Sequence, residues 1–187
     1  YGDHRLLERQ YPSMVKFVEF CRSRSTPELL PPARFHAFGD WLSIKAETPR
    51  EIIYTAYFAI SAQLTARAAE VLGKADDARK YRELFEKIRA AFNKAYVSED
   101  GRIKGDTQAC YVLALAADLL DDEKAKLAGD HLVADIEKRG THLSTGFIGT
   151  KDLMLSLARI ARNDVAYKLV LTETFPSWVF SMKHGAT

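Results

Sequence analysis

Three short stretches bring together side chains that could do chemistry. They are "FGDWLS" (38–43), "KGDTQ" (104–108) and "THLSTGF" (141–147). In the first, the carboxylate Asp40 directly precedes Trp41, one of two tryptophans in the chain. The second offers Asp106 and the third His142. An acid beside an indole suits a carbohydrate. The apolar C–H face of a pyranose lies on an aromatic plate, and carboxylates accept bonds from its hydroxyls. Each residue also has a plainer role open to it. Asp40 could serve an Asx turn while Trp41 packs, Asp106 could cap a helix, and His142 could be a hydrogen-bonded loop histidine. Trp178, after Pro176, reads more readily as core than as ligand. The functional reading depends on convergence of the three loops.

That convergence must come from the elements behind them. Apolar residues recur at roughly helical spacing in 3–24, where Pro12 should kink the helix or mark a late start. Residues 25–43 form a loop with Pro27, Pro31 and Pro32 as breakers. The clearest helix is 48–73, with Thr48 as N-cap, Pro49 at the first position, Glu51 completing a capping box and Gly73 as the stop. An amphipathic helix over 76–97 carries Tyr81, Leu84, Phe85, Ile88, Ala91 and Phe92 as its stripe. A turn at 98–106 leads to 107–120, apolar nearly all round. Then follow an amphipathic 121–140 closed by Gly140, and helices at 148–162 and 163–173. Buried helices thus alternate with charged ones, as inner and outer partners of helical hairpins. The fold class is all-α. An open solenoid and a closed α/α toroid both accommodate such hairpins, and the lack of residue-level self-similarity between units counts against a regular solenoid. With inner helices parallel, the three loops share one rim, at helix N-termini that carry partial positive charge.

Composition narrows the function classes. Hydrophobic residues are 47% of 187, enough for a buried core. The 27 Lys and Arg nearly cancel 25 Asp and Glu, and acids interleave with bases as in "RKYRELFEKIR", a solvated helix face, so nucleic acid is not expected as a partner. Cys21 and Cys110 lack metal spacing and read as buried free thiols. No apolar run reaches the roughly 20 residues of a membrane span. No signal-peptide pattern opens the chain and it does not begin with Met, so a cytoplasmic and a secreted or periplasmic location both stay open.

Taken in order, "YGDHRLLERQYPSMVKFVEF", "FGDWLS", "GRIKGDTQACYVLALAADLL", "HLSTGFIGT" and "PSWVFSMKHGAT" resemble the catalytic domain of bacterial α-L-rhamnosidases, over essentially all 187 residues. The blocks are specific in combination rather than singly. The resemblance implies a six-hairpin (α/α)6 toroid, of which residues 1–187 would form about seven of twelve helices, without the N-terminal helices and the C-terminal end. It implies release of terminal α-L-rhamnose with inversion, by an acid and a base about 6.5–9.5 Å apart. The family's general acid lies before the point matching Tyr1 and its base a few residues after "GAT", so both catalytic carboxylates are expected outside this chain. Trp41 matches a rhamnose-binding aromatic, and Asp40, Asp106 and His142 sit on motif blocks near the cleft. The resemblance implies no metal and no cofactor. It further implies a chain inactive alone that either forms a homodimer or belongs to a longer polypeptide. The competing readings are a related toroid glycosidase for another sugar and a helical-hairpin scaffold that binds protein.

Overall fold

The computed structural model describes residues 3–186. The helices are α1 (Arg5–Arg24), α2 (Arg50–Val71), α3 (Ala75–Tyr96), α4 (Gln108–Ala116), α5 (Asp122–Lys138), α6 (Phe147–Arg159), α7 (Asn163–Leu171) and α8 (Trp178–Lys183). Among the described residues there is no strand, and an isolated bridge joins Val97 to Ile103. The fold is all-α, as the alternation of apolar and amphipathic segments predicts. Contacts divide the chain into two compact units. One holds α1, α2 from Tyr54 onward and α3 up to Ala95, and the other holds 37–53 and the chain from Tyr96 on.

In the first unit, Tyr11 packs with Ala68, Ala69 and Ala78, flanked by Leu7, Met14, Val15 and Leu72. Leu7, Tyr11, Met14 and Val18 fall at helical spacing, which places them on one side of α1. The helix runs unbroken through Pro12. α2 buries Phe58, Ala59, Ala62, Ala66 and Ala69, and α3 buries Tyr81, Leu84, Phe85, Ile88 and Phe92. Both glycine stops operate. Gly73 and Gly140 sit at φ 68° and 69°. The Lys74 amide donates to the Ala69 carbonyl at 2.8 Å and the Thr141 amide to that of Ile136 at 2.9 Å, closing Schellman turns.

In the second unit α4 is buried from Gln108 to Leu115 and packs against α5 and α6, while α6 packs against α7 and α7 against α8. The sequence predicts that α4 runs to residue 120, but it ends at Ala116. Asp118 takes the left-handed turn position at φ 56°, and the Leu119 amide donates back to the Ala114 carbonyl at 3.0 Å. Leu119 and Leu120 stay buried although they are no longer helical. α8 is an additional short helix, capped by the Ser177 hydroxyl, which accepts the Phe180 amide at 3.0 Å. Its first residue, Trp178, is half-buried.

No described helix is long and apolar enough to cross a membrane. Cys110 is buried and Cys21 half-buried, both are free thiols, and burial pushes both upward in pKa.

Candidate functional site: a helix end and an aromatic cleft

The three loops do meet within the second unit. Thr48, just before α2, bonds Thr107, the N-cap of α4, hydroxyl to hydroxyl at 2.9 Å. Glu51 in the first turn of α2 pairs with Lys104 at 3.1 Å. Gln108 opens α4 as a fully buried amide. Its Nε2 donates to Asp135 at 2.9 Å and to the His142 carbonyl at 3.1 Å, and its Oε1 accepts the Ser144 amide at 2.8 Å. The Ile44 amide donates to the Ser144 carbonyl at 3.0 Å. The starts of α2, α4 and α6 are therefore tied to one another.

Asp40 and Trp41 dock on the start of α6. The first amides of a helix have no partner inside it, and the N-cap of α6, Gly146, has no side chain to supply one. Asp40, 5% exposed, fills that role from a distant loop. Its Oδ2 accepts the Gly146 amide at 2.8 Å, and its Oδ1 accepts those of Ile148 at 2.8 Å and Gly149 at 3.3 Å. The Phe147 amide donates to the Trp41 carbonyl at 3.0 Å. A Cβ on Gly146 would collide with that same carbonyl oxygen. A carboxylate at a helix N-terminus also meets the positive end of the helix dipole.

The backbone held in this way displays an aromatic pair. Trp41 is 67% and Phe147 61% exposed, with ring centroids 5.3 Å apart at 75°. They line a cleft of about 560 Å³ together with Phe38, Asp40, Glu47 and Arg50, a volume within the usual range for small-molecule sites. Glu47 and Arg50 are exposed and pair with no side chain among the described residues. The cleft therefore offers an apolar plate, a carboxylate and a guanidinium.

Asp106 and His142 belong to these loops but are not among the residues lining the cleft. Asp106, at φ 48°, accepts from the Tyr111 hydroxyl and from Arg102. Burial and the Asp106 carboxylate both push the Tyr111 hydroxyl upward in pKa, which keeps it a donor. His142 Nδ1–H donates to the Arg139 carbonyl at 2.8 Å, which leaves Nε2 to accept the Thr174 hydroxyl at 2.8 Å. Both side chains brace local structure. Sequence reasoning missed Glu47, Arg50, Phe147 and Gln108. Phe147 and Gln108 stand inside the quoted loops, and a buried amide opening an apolar helix was the available signal for Gln108. Among the described residues no group of three or more His, Cys, Asp or Glu comes together to hold a metal ion.

The family model described as the bacterial alpha-L-rhamnosidase 6 hairpin glycosidase domain matches residues 1–187. An α-L-rhamnosidase of Streptomyces avermitilis is 47% identical over 187 residues, covering 100% of this chain and 18% of that protein. One from Formosa agariphila is 38% identical over 195 residues, covering 100% of this chain and 21% of that protein. The S. avermitilis enzyme, solved complexed with L-rhamnose, superposes with a TM-score of 0.93 over 99% of this chain and 18% of its own. The native enzyme of Aspergillus terreus, 27% identical, gives 0.92 over 98% of this chain and 22% of its own. The chain thus spans about a fifth of the length of the relatives it matches. With the family model matching the whole chain, a 47% identical relative and a superposing backbone, the chain belongs to the bacterial α-L-rhamnosidase six-hairpin glycosidase family.

Proposed function

We propose that residues 1–187 form part of one (α/α)6 catalytic domain and supply the sugar-binding wall of an inverting α-L-rhamnosidase. Terminal α-L-rhamnosides are then the substrates. The observation that carries this reading is the exposed Trp41–Phe147 pair at the cleft, in a chain of this family. Two adjacent exposed aromatics beside charged groups in a cleft mark a surface suited to a ligand. The C–H face of a deoxyhexose is a suitable cover.

The general acid and general base come, in this reading, from parts of the full-length protein outside residues 1–187. Asp40 and Asp106 are poor candidates for either task, because amides, a phenol and a guanidinium occupy their oxygens. No cofactor or metal is needed, since a pair of carboxylates suffices for inversion.

The test is hydrolysis of p-nitrophenyl α-L-rhamnopyranoside by this chain alone and by the full-length protein. Activity in the full-length protein only is the expected result. Activity in the short chain would make one of its own carboxylates catalytic. Activity in neither would move the reading to another sugar or to a protein-binding scaffold.

A further inference from the structure

We propose that Glu47 is the carboxylate that accepts hydroxyl hydrogens from a sugar lying on Trp41, and that Asp40 serves only as a positioning residue behind it. The proposal rests on the sugar-binding reading above and assigns the polar half of that site.

Two carboxylates line the cleft, Asp40 and Glu47. An ionised carboxylate only accepts, through its two oxygens. Both oxygens of Asp40 already accept backbone amides at the start of α6, and the residue is buried. Turning Asp40 toward a ligand would strip amides that nothing else in the helix can satisfy. Glu47 has the opposite situation. It is exposed, and no side chain among the described residues occupies its oxygens.

The backbone under Glu47 is fixed on both sides. Before it, the Ser43 hydroxyl donates to the Ala46 carbonyl at 2.6 Å, and Ile44 is tied to Ser144. After it, buried Thr48 bonds Thr107. Arg50, in the first turn of α2, lines the same cleft and also pairs with no side chain among the described residues. A hydroxyl both donates and accepts, so a carboxylate and a guanidinium are complementary partners for neighbouring hydroxyls. The aromatic rings supply the apolar contact. The arrangement fits a pyranose with one bare C–H face and a free hydroxyl edge.

The experiment uses the full-length protein and L-rhamnose as the probe. Binding is measured calorimetrically for wild type, Trp41→Ala, Glu47→Gln and Asp40→Asn, with the unfolding temperature of each and KM and kcat for p-nitrophenyl α-L-rhamnopyranoside. Glu47→Gln should weaken binding about tenfold, the usual scale for losing a charge-assisted bond. Its effect should fall on KM, and its unfolding temperature should match wild type. Asp40→Asn should lower the unfolding temperature together with affinity. Wild-type affinity in Glu47→Gln, alongside a loss in Asp40→Asn at unchanged unfolding temperature, would reverse the two roles and overturn the proposal. A fall in kcat at constant KM in Glu47→Gln would make Glu47 catalytic and would also overturn it. If wild type fails to bind L-rhamnose, or Trp41→Ala binds it as well as wild type does, the sugar-site reading itself fails.

Discussion

Asp40 and Gly146 lie 106 positions apart, yet together they set the geometry of the cleft. Removing the carboxylate leaves the amides of Gly146, Ile148 and Gly149 without an acceptor in a buried place. Asp40→Ala should therefore destabilise the full-length protein by about 2–3 kcal/mol, above an ordinary helix-cap loss because several amides are orphaned at once. Urea unfolding checks this, and a loss below about 0.5 kcal/mol, the scale of an uninvolved surface change, would contradict it. Gly146→Ala drives a methyl into the Trp41 carbonyl. The expected cost is about 1–3 kcal/mol, the overpacking range, read from the same unfolding curves. Part of this site was legible in the sequence. An acid next to a tryptophan marked the first loop, and that tryptophan does stand at a cleft. The acid's actual partners were hidden, because nothing local in "FGDWLS" reports a helix end so far along the chain. Glu47 and Arg50 looked like ordinary charges in and before a helix, since their place in the cleft comes from folding of the 37–53 segment.

At the scale of helices, the legible features were those encoded nearby in sequence. Gly73 and Gly140 end their helices as their residue type predicts, and the stripe of α3 is the buried stripe. The end of α4 was not legible. The apolar run continues through Leu119 and Leu120, while the left-handed residue is an aspartate rather than a glycine. Asp118 is tied down by Arg159, an ion pair formed from 41 positions away. Tyr11 gives the first unit a pH response. Its hydroxyl donates to Asp77 at 2.8 Å, and Lys74 lies over its ring with Tyr81 close enough to act on it electrostatically. Burial, then the Asp77 carboxylate, pushes the phenol upward from its ordinary 10.0. The folded state therefore holds the proton more tightly than the unfolded state does. This contribution to stability is complete below pH 10.0 and is lost as pH rises above it. Melting measured at about pH 8 and about pH 11 should show a smaller alkaline loss in Tyr11→Phe than in wild type. Equal losses in the two proteins would contradict this account of Tyr11.

For the molecule as a whole, apolar surface is the main consideration. Leu155 on α6, with Tyr167 and Leu171 on α7, is exposed, as are Leu6, Phe17 and Phe20 on α1. Surfaces of this kind favour association, and the chain is about a fifth of the length of its relatives. Isolated residues 1–187 should self-associate in light scattering, and a stable monomer of 21.1 kDa would contradict that expectation. Among the described residues, Trp41 and Phe147 form a ring pair in a cleft that Glu47 and Arg50 also line. The most direct test is the KM of the full-length protein for p-nitrophenyl α-L-rhamnopyranoside, with and without Trp41→Ala. Loss of an aromatic plate under the sugar should raise KM by about tenfold or more. An unchanged KM would mean that the sugar does not rest on Trp41, and the cleft would lose its assigned role.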